Sequence, residues 1–254
     1  MAKLIELSIN AHKNLKVTND AMMSHASRQH VCNLQAQEIA NAATCFPVFI
    51  TRNSINGQLA VSAMMSFATQ ENLFVQDNSW HSVFQPTNFR TYPLYLMQSP
   101  ENEKHFTIGF DQDSGHLSEE HGLALFTGDG KATPMLSEKT KLLEGELEQM
   151  RLTYAFTKMI DSLDLMKSVD LQVHYQSGEV GVIKGLQTID EDKLQTISTD
   201  DLDKLRKAGY LAPIYAMLMS LFQINVLINK HNNLTTHTNI DTVKIEVSKD
   251  TTVS

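Results

Sequence analysis

Two histidines and two glutamates stand together at His116, Glu119, Glu120 and His121, the chain's densest set of metal-binding side chain types. Imidazole and carboxylate ligands suit zinc or iron. The spacing argues against such a site. Zinc proteases place two histidines four apart on a helix with a glutamate beside the first. Here they are five apart, which on a helix turns them about 140° from one another. His116, Glu120 and His121 are therefore weak metal candidates, read as a solvated helix start, and no metal or cofactor is expected. Asp111, Asp113 and Asp129 are acids near turns, without the twelve-residue calcium-loop pattern. Cys45 has no histidine at a recognisable catalytic spacing, and no Gly-x-Ser-x-Gly elbow exists. Gly128-x-Gly130 is too short for a dinucleotide or phosphate-binding loop.

Contact chemistry is better represented than bond-making chemistry. Trp80, the only tryptophan, follows a strand and turn and suits a pocket wall or a packed core. Arg90 near Tyr92 offers a planar fork for a carboxylate or phosphate, or for a structural ion pair. Tyr215 lies in the most apolar stretch, where its hydroxyl is expected to reach a buried partner. Trp80, Arg90, Tyr92 and Tyr215 are the ligand- or partner-binding candidates.

The elements that must position them follow from patterning. Val31–Ala43 reads as a short helix, with Leu34, Ile39 and Ala42 near one face. Pro47–Thr51 and Gln58–Phe67 read as strands joined through the tight-turn pair Asn56-Gly57. Leu73–Val75, Tyr92–Met97 and His105–Phe110 continue the strand pattern, with a turn cluster at Ser99–Lys104. Thr133 and Pro134 can open a long helix running to about Ser162. Its apolar stripe includes Leu143, Leu147 and Phe156, while Glu144 to Glu148 and Arg151 form the wetter side. Leu171–Tyr175 and Val180–Ile189 form a second hairpin. Thr199 caps a helix over Asp200–Lys207, and Gly209 stops it. Leu211–Ile228 is a helix apolar almost all round, expected to be swallowed by the core. It is borderline for the roughly 20 residues a membrane span needs, and Pro213, Ser220, Gln223 and Asn225 interrupt it. Thr242–Val247 alternates as an edge strand would.

Short connections between neighbouring strands argue antiparallel pairing. The expected fold is α+β, an antiparallel sheet packed against two or three long helices. The expected organisation is a lead-in over 1–30, one domain over 31–230 and a polar tail over 231–254. Within the domain, 46–110 is β-rich and 134–229 is mixed.

Composition narrows the partners. The chain has 254 residues, 42% hydrophobic and 20% charged, with a net charge of −8. Lysines and arginines are scattered, so nucleic acid and anionic membrane are both disfavoured. Cys32 and Cys45 supply at most one disulfide and read as reduced thiols. The first residues lack the apolar stretch of a secretory signal, so the cytoplasm is the expected address, with surface association left open.

One ordered set of residues resembles a known family. It comprises Phe46-Pro47-Val48-Phe49, Asn72-Leu73-Phe74-Val75 with Trp80, and Arg90-Thr91-Tyr92-Pro93. Leu125-Phe126 with Gly128-Asp129-Gly130 and Leu136 follows, then Gly185-Leu186 leading into Ile189-Asp190-Glu191-Asp192-Lys193-Leu194. Gly209-Tyr210-Leu211 with Ile214-Tyr215-Ala216 and Ser220-Leu221 completes it. In order and spacing this resembles the bacterial SapC family over roughly residues 31–229. The resemblance implies an accessory role, since many members sit in genomes beside TonB-dependent receptors and halogenase-like proteins. It implies a non-enzymatic protein binding a partner protein or small ligand. A metal-dependent enzyme acting on a peptide or metabolite, or a surface-layer component, are the alternatives. A multi-span permease and a disulfide-dense saposin are excluded. The chain departs from the family at Met217, where members often carry histidine, and at Thr91, where they often carry arginine.

Overall fold

The computed structural model describes residues 3–53, 57–100, 105–234 and 236–249. The chain opens with strand β1 (Leu4–Glu6), helix α1 (Ile9–His12), strand β2 (Lys16–Val17) and helix α2 (Ala21–Ala26). Strand β3 (Val31–Leu34) comes next, then a 3-10 turn at Ala36–Glu38 and helix α3 (Ile39–Ala42). The single helix expected over Val31–Ala43 is therefore a strand followed by two short turns. Two interactions override the helical spacing. Val31–Leu34 pairs along its whole length with Val61–Met64. Glu38 then accepts from the Gln35 backbone N–H at 2.9 Å, part of a reciprocal cap that stops any helix from starting earlier.

Strands β4 (Val48–Arg52) and β5 (Leu59–Met64) pair antiparallel, Val48 opposite Ala63 and Arg52 opposite Leu59. The first residue of the Asn56-Gly57 turn lies outside the described residues; Gly57 holds φ 70°, the left-handed conformation that such turns require. Then come β6 (Val75–Gln76), β7 (Ser79–Trp80), helix α4 (Thr87–Thr91), β8 (Leu94–Gln98) and β9 (Phe106–Asp111). Most of the turn cluster over Ser99–Lys104 lies outside the described residues. Strands β10 (Leu117–Ser118) and β11 (Leu123–Ala124) precede the 29-residue helix α5 (Pro134–Ser162). The Thr133 side chain accepts from the Leu136 N–H at 3.3 Å, with Pro134 at the first helical position.

Strands β12 (Met166–Tyr175) and β13 (Val180–Ile189) form the second hairpin, followed by α6 (Glu191–Gln195) and α7 (Thr199–Lys207). The cap of α7 is Ser198, whose oxygen accepts from Asp201 N–H at 3.1 Å, one residue before the expected Thr199. Helix α8 (Leu211–Ser220), a 3-10 turn at Leu221–Gln223 and helix α9 (Ile224–Asn232) make one rod, and β14 (Ile240–Val247) ends the described chain.

The fold is α+β. Its main sheet has the order β14-β12-β13-β4-β5-β3, antiparallel throughout. A smaller sheet runs β1-β9-β8, and β2 lies between β10 and β11. The first thirty residues thus supply an edge strand to one small sheet and the centre of another. Two apolar clusters result. The larger fills the space between the main sheet, α3 and the α8–α9 rod, with Phe46, Phe49, Met65 and Phe156 fully enclosed. The smaller gathers Val17, Tyr92, Leu94, Phe110 and Leu125. Helix α5 reaches both, giving Leu136 and Leu143 to the small cluster and Phe156 and Ile160 to the large one.

The α8–α9 rod differs from the helix expected to be buried all round. One side of it packs against α3, β13, β4 and β14. That side buries Ile214, Met217, Ser220, Ile224 and Leu227. Ser220 fastens it: its hydroxyl accepts from the buried Val48 N–H at 2.9 Å and donates to Met217 O at 2.6 Å. The other side leaves Tyr215 50%, Met219 59%, Phe222 69% and Val226 37% exposed. By length and hydropathy Leu211–Asn232 is the one described helix able to cross a membrane, yet only 28% of its most apolar window is buried.

Candidate functional site

A cavity of about 490 Å³ opens between α5 and the β3–β5 corner of the main sheet. Leu34, Leu59 and Val61 form its apolar floor, and Thr87, Asn88 and Thr91 of α4 close one side. From α5 come Glu146, Leu147 and Thr153, with Met150 and Tyr154 more than half exposed at the rim. Alternation along β3 and β5 sets the floor, because every second residue of a strand faces the same way.

Two carboxylates meet this space in different states. Glu38 is 6% exposed and held rigidly. One oxygen accepts from Gln35 N–H at 2.9 Å and the other from Thr87 N–H at 2.8 Å, so it joins the end of β3 to the start of α4. Glu146 is half-buried on α5, and among the described residues no hydrogen bond or ion pair engages its carboxylate. Burial raises its pKa above the ordinary value, and the negative charge of Glu38 raises it further. Thr153 ties the facing walls together, accepting from Ala36 N–H at 2.9 Å and donating to Gln149 O at 2.7 Å. The Gln149 side-chain oxygen, one turn from Glu146, is buried without a hydrogen-bond partner among the described residues. The side-chain amides of Asn33, Asn53, Gln58 and Asn88 and the hydroxyls of Thr87 and Thr91 complete a polar lining. Arg151, also on the wall, is 71% exposed and faces Glu148 at 3.8 Å.

Glu146 refines the sequence reading, which set the glutamates from Glu144 to Glu148 on the wetter side of α5 and Leu147 on its apolar stripe. Glu144 and Glu148 are exposed, but Glu146 lies three residues after the buried Leu143, on the stripe that faces the sheet. That spacing was visible in the sequence. Glu38 had a signal too, since Gln35-x-x-Glu38 has the spacing of a capping box.

The four contact candidates are placed separately, and none lines this cavity. Trp80 is half-buried against Phe89, Phe46 and Phe74, with ring centroids 5.6 to 6.2 Å away. Its indole N–H donates to Phe84 O at 2.9 Å. Arg90 pairs with Glu138 at 3.0 Å between α4 and α5. Tyr92 is 6% exposed and stacks on His25 at 3.9 Å. Burial raises the Tyr92 pKa, although Ser114 hydrogen-bonds its hydroxyl. Burial lowers that of His25, helped by neighbouring His116. Between these residues, Lys139 of α5 donates to the carbonyls of Arg90 and Tyr92, and burial pushes its pKa down to about 8. Arg90 and Tyr92 therefore flank the joint between α4 and α5. Tyr215 is half exposed, correcting the expectation of a buried hydroxyl partner: it faces away from the side of the rod that packs on the sheet.

Glu120 and His121 lie in the turn between β10 and β11 and His116 directly precedes β10, so none stands at a helix start. Strands β10 and β11 both pair with β2, which holds this segment extended. His116 Nδ1 lies 3.4 Å from the Thr18 hydroxyl. His121 is 3.9 Å from Glu120, both largely exposed. Glu119 and Glu120 line a cavity of about 400 Å³ together with Lys13 and Lys16. Among the described residues no group of three or more His, Cys, Asp or Glu side chains converges as a metal set. A further cavity of about 600 Å³ is mainly apolar, lined by Leu7, Leu96, Ile108 and Phe126, and shares Leu147 with the first.

Comparison with known proteins gives one match. The SapC family model matches residues 7–227, most of the chain, so the protein belongs to the SapC family. No curated protein and no solved structure matches.

Proposed function

We propose that this member of the SapC family is a binding protein, and that the cavity beside α5 holds a small organic ligand bearing a positively charged amine. The observation that carries this reading is the unpartnered Glu146 carboxylate facing the fixed charge of Glu38 within about 490 Å³. A half-buried carboxylate beside a like charge is costly unless a cation or a proton joins it. An ammonium group would relieve that repulsion through charge-assisted hydrogen bonds, roughly twice as strong as neutral ones. The apolar floor suits a ligand with a hydrocarbon or ring body, as small-molecule sites usually do. Arg90, Tyr92 and Lys139 join α4 to α5 and so hold the two walls in register. Trp80 packs on Phe89 of α4 and supports the same wall from behind.

In this reading the protein works in the cytoplasm as an accessory, retaining or presenting an amine-bearing compound for an uptake receptor or a modifying enzyme. Titration calorimetry with glucosamine, putrescine and tryptamine, each beside its neutral hydroxyl counterpart, tests it. The expected result is binding of at least one amine and not its counterpart, weakened at least tenfold in Glu146→Gln. Equal binding of amine and counterpart, or undiminished binding by Glu146→Gln, would refute it.

A further inference from the structure

The exposed side of the α8–α9 rod has a regular pattern. Ala212, Tyr215, Met219, Phe222, Val226 and Asn229 are all exposed and recur at alternating intervals of three and four. This is the spacing of the contact positions in a coiled coil, where one helix seats its side chains between those of another.

Charge narrows the occupant. From Ala208 to Asn229 the chain has no Asp, Glu, Lys or Arg. The face offers no counter-charge to an acidic or basic partner. Two copies of it meet without like-charge repulsion, although each chain carries a net charge of −8. The same net charge opposes adsorption to an anionic bilayer. The stripe is also self-complementary. In an antiparallel two-fold pair centred between Met219 and Phe222, each Met219 meets the other copy's Phe222, a favourable sulfur–aromatic contact. Each Tyr215 meets the other copy's Val226. Such an arrangement closes on itself and forms a discrete dimer, not a filament.

We infer that a second copy of this chain docks on this face, forming an antiparallel two-fold helix pair centred between Met219 and Phe222. The area agrees with a reversible dimer. At roughly 150–250 Å² per aromatic side chain, the exposed fractions of the four large residues leave on the order of 400 Å² open on each copy. Doubled, the stripe gives about 800 Å², below the roughly 1,000 Å² of a stable specific interface, so association is weak and concentration-dependent.

Sedimentation equilibrium of the full chain tests the pairing. The mass should rise from 28.5 kDa toward twice that value as concentration reaches ~100 μM. Met219→Lys and Phe222→Glu should each weaken association at least a hundredfold while keeping the wild-type melting temperature and circular dichroism. An equimolar mixture of the two variants should regain the dimer, because the pairing sets the lysine of one against the glutamate of the other. A wild type that stays monomeric throughout overturns the proposal, as do single variants that dimerise undiminished or a mixture that remains monomeric. Flotation of a monomeric wild type with phosphatidylcholine vesicles would assign the face to lipid and overturn it equally.

Discussion

The two long helical elements contradict their compositions. Helix α5 is studded with charge, yet it reaches both apolar clusters and turns one glutamate toward the protein. The α8–α9 rod carries no Asp, Glu, Lys or Arg before Lys230, yet the protein buries only one side of it. Burial follows from what each helix faces. The rod rests on α3, β13, β4 and β14 along one side, and Met219 and Phe222 stay more than half exposed on the other. Helix α5 crosses the corner where β3, the 3-10 turn and α4 leave a gap, so Glu146 enters the protein without being enclosed. Each helix departs from its expected pattern where a second molecule would fit, an amine at α5 and a further copy at the rod.

The sharpest way to break this contrast is to truncate the two sides of the rod in turn. Met217 is fully buried and Met219 is 59% exposed, two residues apart on the same helix. Met217→Ala should cost about 2–5 kcal/mol, through lost contacts and the cavity left behind. Met219→Ala should stay within about 0.5 kcal/mol in dilute monomer. Chemical denaturation of both variants checks this, and equal losses would mean that the open face is covered.

A smaller effect sharpens the reading of α5. Because the folded-state pKa of Glu146 is raised, its ionisation opposes folding. The penalty is absent below the ordinary carboxyl value of 4.5, grows as pH rises toward the folded value, and is constant above it. Glu146→Gln should therefore melt higher than wild type near neutral pH, and the gap should close near pH 4. A residue kept for stability would show the reverse. The smallest effect concerns His25, whose pKa is lowered by burial and then by His116. Its neutral form supports the fold above its ordinary value of 6.5, and that support drains away as pH falls below it toward the depressed value. Thermal melts across this window should show a shallower acid-side loss in His25→Gln.

Much of the fold was legible because local signals agreed with the tertiary result. Thr133-Pro134 starts α5 where a cap and a proline belong, and β4 and β5 are apolar runs on either side of an Asn-Gly pair. The Val31–Ala43 segment misled because Leu34, Ile39 and Ala42 do fall near one helical face. Pairing of Val31–Leu34 with β5 outweighed that periodicity, and no local rule shows which partner a strand will find. The site was less legible. Glu146 has the same side chain as Glu144 and Glu148, and only the position of Leu143 on the buried stripe separates them. Tyr215 was read from the apolar character of its segment, which does not say which side of a helix the sheet will cover. Trp80, Arg90 and Tyr92 stood out by residue type, and each lies in the packing or pairing that supports α4.

The most direct test of the binding site is amine affinity followed across pH in wild type and Glu146→Gln. The account predicts that wild-type affinity rises as Glu146 loses its proton and then levels off, while the variant binds weakly with little pH dependence. Parallel profiles of equal strength in the two proteins would contradict it.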